Sequence, residues 1–195
     1  LRRHHQRDPS WFQDEQGGKR DEADYYRPAY RVGRGLDGSI RSRIPGDSSS
    51  WLPDGRLALS LYNGLFATDA SLAHSAQIGA DLPDAASDIA VSPDGRVAAF
   101  AMDGHVWTEN LADGSNLKQL TASSGAEGQP AWSPDGRYVA VEYYGYCPIV
   151  YAVPADGQRV FIGNPAVPTS ALMLQKIEDG HARDICAFSD LSWRL

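Results

Sequence analysis

The strongest constraint on how this 195-residue chain folds is a motif that returns three times at a nearly fixed interval. Its fullest copy is Trp132-Ser133-Pro134-Asp135-Gly136-Arg137, followed by Tyr138-Val139-Ala140-Val141. The earlier copies are Trp51-Leu52-Pro53-Asp54-Gly55-Arg56 and Val91-Ser92-Pro93-Asp94-Gly95-Arg96, and apolar residues resume after each. The prolines at 53, 93 and 134 are spaced by 40 and 41 residues, the length of one four-stranded propeller blade. In each copy Pro suits the first central position of a type I turn, Asp can bond its own backbone, and Gly supplies the positive φ that returns the chain. One copy alone would mean only a turn. Three copies in register, each leading into β-prone sequence, mean a repeat of hairpins.

The residues after each hairpin correspond as well. Val97 to Phe100 is followed by the turn Met102-Asp103-Gly104, then His105-Val106-Trp107-Thr108, then Ala112-Asp113-Gly114-Ser115, then Leu117-Lys118-Gln119-Leu120-Thr121. That is four short strands joined by three turns. From Trp132 onward the same order gives a turn over 143–148, a third strand over 149–153, and Ala155-Asp156-Gly157-Gln158 ahead of a fourth strand. In the first repeat the segment 70–73 has no Asp-Gly, so the matching turn is not specified there. On these motifs, fullest in 131–137 and 112–121, the chain resembles the TolB-type β-propellers over roughly residues 30–163. The resemblance implies an all-β propeller of four-stranded antiparallel blades. Such blades serve periplasmic scaffolds, the propeller domains of prolyl-oligopeptidase-type peptidases and some polysaccharide lyases, so fold alone does not select among them.

The repeat predicts full blades over 49–88, 89–129 and 130–163, with Trp51, Val91 and Trp132 on equivalent innermost strands and packed between neighbouring sheets. Residues 25–48 are expected to be an outer half-blade, because Asp37 to Ile44 repeats the seven-residue offset of Asp113 to Leu120. Residues 164–189 break the period and are expected to be an insertion, in which 169–180 suits a short helix or an added strand equally. Asp190-Leu191-Ser192-Trp193 is expected to start a further blade. Three blades cannot close a ring, so the propeller is expected to be incomplete, with further chain or another subunit covering its open edge. Residues 1–24 are expected to be an extended polar arm, since such a segment cannot bury enough surface to fold alone. Its Trp11 and Phe12 are candidates to plug into a partner.

A formal net charge of −7 argues against nucleic acid as the main partner. No apolar run reaches membrane-spanning length, since the most apolar stretch, 138–153, is interrupted by Glu142, Gly145 and Pro148. Because the sequence begins with Leu1, a signal peptide or membrane anchor before it is compatible with it. Cys147 and Cys186 suit either a disulfide or two separate thiols.

Catalytic patterns are missing from the sequence. It has no Gly-x-Ser-x-Gly elbow, no His-Glu-x-x-His, no Cys-x-x-Cys and no phosphate-cradling Gly-rich loop. His74, His105 and His181 fall at different phases of the repeat, which does not suit a shared metal. Neither a cofactor nor a metal site is therefore expected. Each Asp of a Pro-Asp-Gly turn is accounted for by its turn. The expected function is a non-catalytic interaction scaffold or accessory subunit of an exported, envelope-associated assembly. Its partner would be another protein or a membrane-protein complex. The alternative is the propeller domain of a larger peptidase or lyase whose catalytic part lies elsewhere. In an up-and-down blade the second-to-third turns and the inter-blade connections share one face. That face receives Tyr143, Tyr144 and Tyr146 and the segment with Leu172, Met173 and Leu174, which with Trp11 and Phe12 are the expected partner-binding residues.

Overall fold

Short apolar segments between turn residues become antiparallel strands throughout the computed structural model, which describes residues 30–34, 40–69, 71, 73–144, 149–161, 172–173, 175–178 and 181–184, with side chains described only within 46–161. Strands β1 (Tyr30–Arg34) and β2 (Ile40–Pro45) form a two-stranded sheet. The first blade is β3 (Ser48–Trp51), β4 (Leu57–Leu61), β5 (Gly64–Thr68) and β6 (Ser75–Ile78), hydrogen-bonded in that order. The second repeats it as β7 (Ala86–Val91), β8 (Val97–Met102), β9 (His105–Asn110) and β10 (Lys118–Gln119). The third comprises β11 (Glu127–Trp132), β12 (Tyr138–Tyr143), β13 (Ile149–Pro154) and β14 (Leu172–Met173). A last hairpin joins β15 (Gln175–Glu178) to β16 (His181–Asp184). Among the described residues there is no α-helix, and no helix long and apolar enough to cross a membrane. The fold is an all-β propeller, incomplete in the described residues, where three four-stranded blades stand against the four needed to close.

The second strand of the middle blade, β8, lies between the two neighbouring sheets, so both of its faces are covered. That is why β8 reads Val-Ala-Ala-Phe-Ala-Met instead of alternating, with Ala98, Ala99 and Phe100 fully buried. Alanine at these sites lets adjacent sheets approach, while larger residues fill the space between them. Leu65, Leu82, Ile89, Phe100 and Leu111 pack between the first and second blades. Val106, Leu120, Val139, Val141 and Val153 pack between the second and third. The outer strand β6, by contrast, is largely exposed.

The repeated hairpins are tied by their own side chains. In the second and third blades the backbone N–H of Gly95 and Gly136 donates to the carbonyls of Ser92 and Ser133, closing the turn that Pro begins. Both glycines have φ near +70°, at 74° and 70°. Ser133 Oγ donates to Asp135 Oδ1 at 2.7 Å and accepts the N–H of Tyr138 at 3.0 Å. Ser92 makes the same two bonds with Asp94 and Val97. The first blade has Leu52 at this position and no such hydroxyl, and Leu52 instead adds its side chain to the core. Where 70–73 lacks Asp-Gly, Asp69 shapes the turn, accepting Ser71 Oγ at 2.8 Å and the Ala73 N–H at 3.1 Å.

Two features depart from the repeat's prediction. Trp51, Val91 and Trp132 do end equivalent first strands. Trp132 and Val91 are half-buried against the core, but Trp51 is 63% exposed and is not packed between sheets. The indole of Trp132 is held by a bond from Nε1 to the carbonyl of Ala90 on the preceding blade's first strand, and the described residues contain no equivalent strand ahead of β3 for Trp51 to reach. The fourth strand of the third blade is also displaced. It is not supplied by the residues just after Gly157 but by Leu172–Met173, within the segment expected to be an insertion. The residues after Gly157 turn back to the second blade: Val160 bridges Thr121 in parallel, its N–H donating to Leu120 and its carbonyl accepting Ala122. Of the helix and strand alternatives for 169–180, the described parts are strands. Both cysteines lie outside the described residues.

Replacing Ser133 with Ala removes two bonds and leaves the half-buried N–H of Tyr138 without that acceptor. We expect the substitution to cost about 1–3 kcal/mol, read as a lower denaturation midpoint in urea followed by tryptophan fluorescence. An unchanged midpoint would show that the hydroxyl does not hold the hairpin.

Candidate functional site

The first strands of the second and third blades each carry a bulge, at Ser87/Ala90 and at Gly128/Ala131. An extra residue in one strand bends it and re-aims its neighbours' side chains. Here the displaced residues are Asp88 and Gln129, both with positive φ, 52° and 48°. Aspartate enters this region more readily than glutamine because its short side chain bonds locally. The two bulges lie side by side, and Asp88 Oδ2 accepts the backbone N–H of Gln129 at 3.3 Å.

Around this junction the third blade places carboxylates where the second has alanines. Strand pairing makes Glu127 the counterpart of Ala86 and Glu142 the counterpart of Ala101. Both glutamates are 1% exposed. Glu127 Oε2 takes the His105 ring Nδ1 at 2.6 Å and the Thr121 hydroxyl at 3.0 Å, and Thr121 Oγ1 in turn accepts the N–H of Val106. This network crosses from the second blade to the third. Glu127 Oε1 and Glu142 Oε2 have no hydrogen-bond partner among the described residues. Burial holds the Glu142 carboxyl above the usual carboxylate range, and the charge of Asp88 adds to the effect.

Between the blades lies a cleft of about 220 Å³, lined among others by Asp88, Asp103, Glu127, Gly128 and Tyr144. Gly128 sits opposite Glu142 in the ladder. A Cβ on Gly128 would lie 2.7 Å from the Tyr144 hydroxyl and 3.2 Å from Asp88 Oδ2, so the bare backbone is what allows these two groups to converge. Burial raises the Tyr144 phenol, a hydrogen bond with the Gln129 side chain partly offsets that, and the charges of Asp88 and Glu142 raise it further. Tyr144 remains 39% exposed at the mouth of the cleft.

Of the residues expected to bind a partner, Tyr144 is the one the structure places at this cleft. Tyr143 beside it is half-buried in the core between the second and third blades, with its hydroxyl against Gly125, where an added Cβ would be 2.7 Å away. Leu172 and Met173 form β14, paired with Ala152 and Tyr151. Trp11, Phe12, Tyr146 and Leu174 lie outside the described residues. The expectation did not include Asp88, Glu127, Gln129 and Glu142. A signal for the glutamates was present, since blade-to-blade alignment sets Ala86 and Ala101 against them. A second cleft of about 450 Å³ lies on the opposite, Pro-Asp-Gly face, between the first and second blades. Its floor is the core side chains Leu52, Ala67 and Leu111. At its rim Arg56 is bonded to Asp54 at 2.8 Å.

Three consecutive four-stranded blades, joined through their first strands, define a β-propeller. No protein-family model matches the chain, and no curated protein matches it either. Among solved structures, TolB from Acinetobacter baumannii superposes with a TM-score of 0.50 at 19% identity, covering 64% of this chain and 35% of that one. The structure of putative TolB from Agrobacterium tumefaciens superposes with a TM-score of 0.53 at 19% identity, covering 60% of this chain and 46% of that one. The fold is TolB-like, and the chain spans less than half the length of either of these proteins.

The buried glutamate gives the protein a pH signature. Because the folded-state pKa of Glu142 is raised above 4.5, its charged form opposes folding. That penalty is complete above the folded pKa and is relieved as pH falls toward 4.5. The turn aspartates act in the opposite sense. Asp135 is held down to about 2, first by Ser133 and then by Arg137, so its contribution is present above 3.8 and lost only in stronger acid. We therefore expect Glu142→Gln to melt no lower than the unmodified protein at pH 7 and to gain less stability between pH 7 and pH 5. Parallel melting curves across that range would show that Glu142 carries no such penalty.

Proposed function

We propose that this protein is a non-catalytic, exported interaction scaffold or accessory subunit, and that it engages another protein or a membrane-protein complex through the face bearing Tyr144. The observation that carries the reading is the cleft between the second and third blades, lined by the exposed Tyr144 and by the buried Glu127, whose Oε1 lacks a partner. The turn aspartates of the blades are committed to the fold, as the bonds of Asp94 and Asp135 within their turns show, and the buried Glu109, whose Oε2 also lacks a partner, does not line this cleft. Tyrosine suits such a position because it offers a large rigid apolar area with a polar tip. The TolB-like fold and the motif resemblance support export and protein partnership. In this reading the arm over 1–24, with Trp11 and Phe12, and the region of Tyr146, Leu172, Met173 and Leu174 extend the contact surface. The blades β3 to β6, β7 to β10 and β11 to β14 are the units from which that surface is assembled.

A photo-crosslinking amino acid in place of Tyr144 tests this, with the same residue in place of exposed Pro93 on the opposite face as control. We expect one discrete cross-linked species from position 144 in the native host compartment and none from position 93. Equal cross-linking from both faces, or none from 144, would overturn the reading.

A further inference from the structure

We propose that the cleft between the second and third blades receives a basic side chain, arginine or lysine, from a protein segment docking on the Tyr144 face. The inference deepens the scaffold reading and rests on it for the nature of the partner. Glu127 lines the cleft, is 1% exposed, and keeps Oε1 without a partner although Oε2 is bonded twice. A carboxylate oxygen only accepts, so the group that completes it must donate, and a charged donor offsets the burial of the anion where a neutral one does not. Asp88 and Asp103 line the same cleft, and no lysine or arginine does. The His105 ring is already engaged with the other oxygen of Glu127.

Size and ligand geometry narrow the occupant further. At about 220 Å³ the cleft is below the range of small-molecule sites and matches the head of one side chain. Among the described residues no three His, Cys, Asp or Glu side chains are grouped as metal ligands, which turns the acidic character toward an organic cation. The bulge and Gly128 serve this arrangement. They bring Asp88 Oδ2 and the Tyr144 hydroxyl together at the mouth, where a guanidinium or ammonium would pass.

The test is a titration of the ¹⁵N-labelled 195-residue chain with N-acetyl-arginine amide, followed by amide chemical shifts. We expect saturable shifts centred on residues 87, 88, 103, 104, 127 and 128. The uncharged isostere N-acetyl-citrulline amide should not produce them. Asp88→Asn, which keeps an acceptor for the Gln129 N–H, should bind about tenfold more weakly, the loss of one charge-assisted contact. Glu127→Gln should abolish saturation, and if that variant does not fold, Asp88→Asn decides. Equal shifts with the citrulline compound, the same shifts with calcium chloride alone, or unchanged affinity in Asp88→Asn would each overturn the proposal. Cross-linking from position 144 in an Asp88→Asn background separates the two readings. A partner captured at undiminished yield would leave the scaffold standing and remove the cation cleft. Saturable arginine binding with no cross-linked partner would leave the cleft and remove the scaffold.

Discussion

Everything in this structure depends on how closely the first strands of successive blades approach. Ser48 Oγ accepts the N–H of Ile89 at 2.8 Å, and Ser50 Oγ accepts that of Val91 at 3.0 Å, so the first blade satisfies donors that a bulged strand leaves open. The same function passes to Asp88 and Ala90 at the next junction, where they take the Gln129 N–H and the Trp132 indole. These bonds hold adjacent sheets at a spacing that the buried alanines permit and that Phe100, Leu65 and Val139 fill. Hydrophobic packing supplies the stabilisation, while the bonds set the register between sheets.

That close approach also creates the acidic cleft proposed as the binding site. A bulge displaces Asp88 from the ladder, and the neighbouring bulge displaces Gln129, so polar groups converge at a junction that would otherwise be apolar. Glutamate at 127 in place of alanine makes the cleft acidic, and the His105–Thr121–Glu127 network satisfies one carboxylate oxygen while leaving the other. Buried polar groups without partners weaken a fold, and the proposed recognition site would set that local cost in stability against binding.

The third blade shows how a repeat can be extended without breaking its pattern. Its outer strand comes from Leu172–Met173, while Val160, earlier in the chain, bonds beside Leu120 of the second blade. Consecutive blades are thereby tied at the outside as well as at the inner strands, and Val160 joins the core between them.

Much of the fold was legible in the sequence because its turns are encoded locally. Pro-Asp-Gly and Asp-Gly fix hairpins through properties of single residues, and their 40-residue spacing fixes strand number and order. Tyr144 could be assigned to one face by the same reasoning, since strand alternation and turn parity determine which loops share a face. Contacts between blades were beyond it. The exposure of Trp51 depends on which strand stands ahead of it, and the outer strand of the third blade depends on a pairing across about 20 residues. The cleft depends on two bulges meeting and on Glu127 reaching His105 from another sheet. Local residue chemistry determined the blades, and only tertiary packing, which joins positions some 20 to 40 residues apart, decided that Asp88 and the half-satisfied carboxylate of Glu127 would line one cleft.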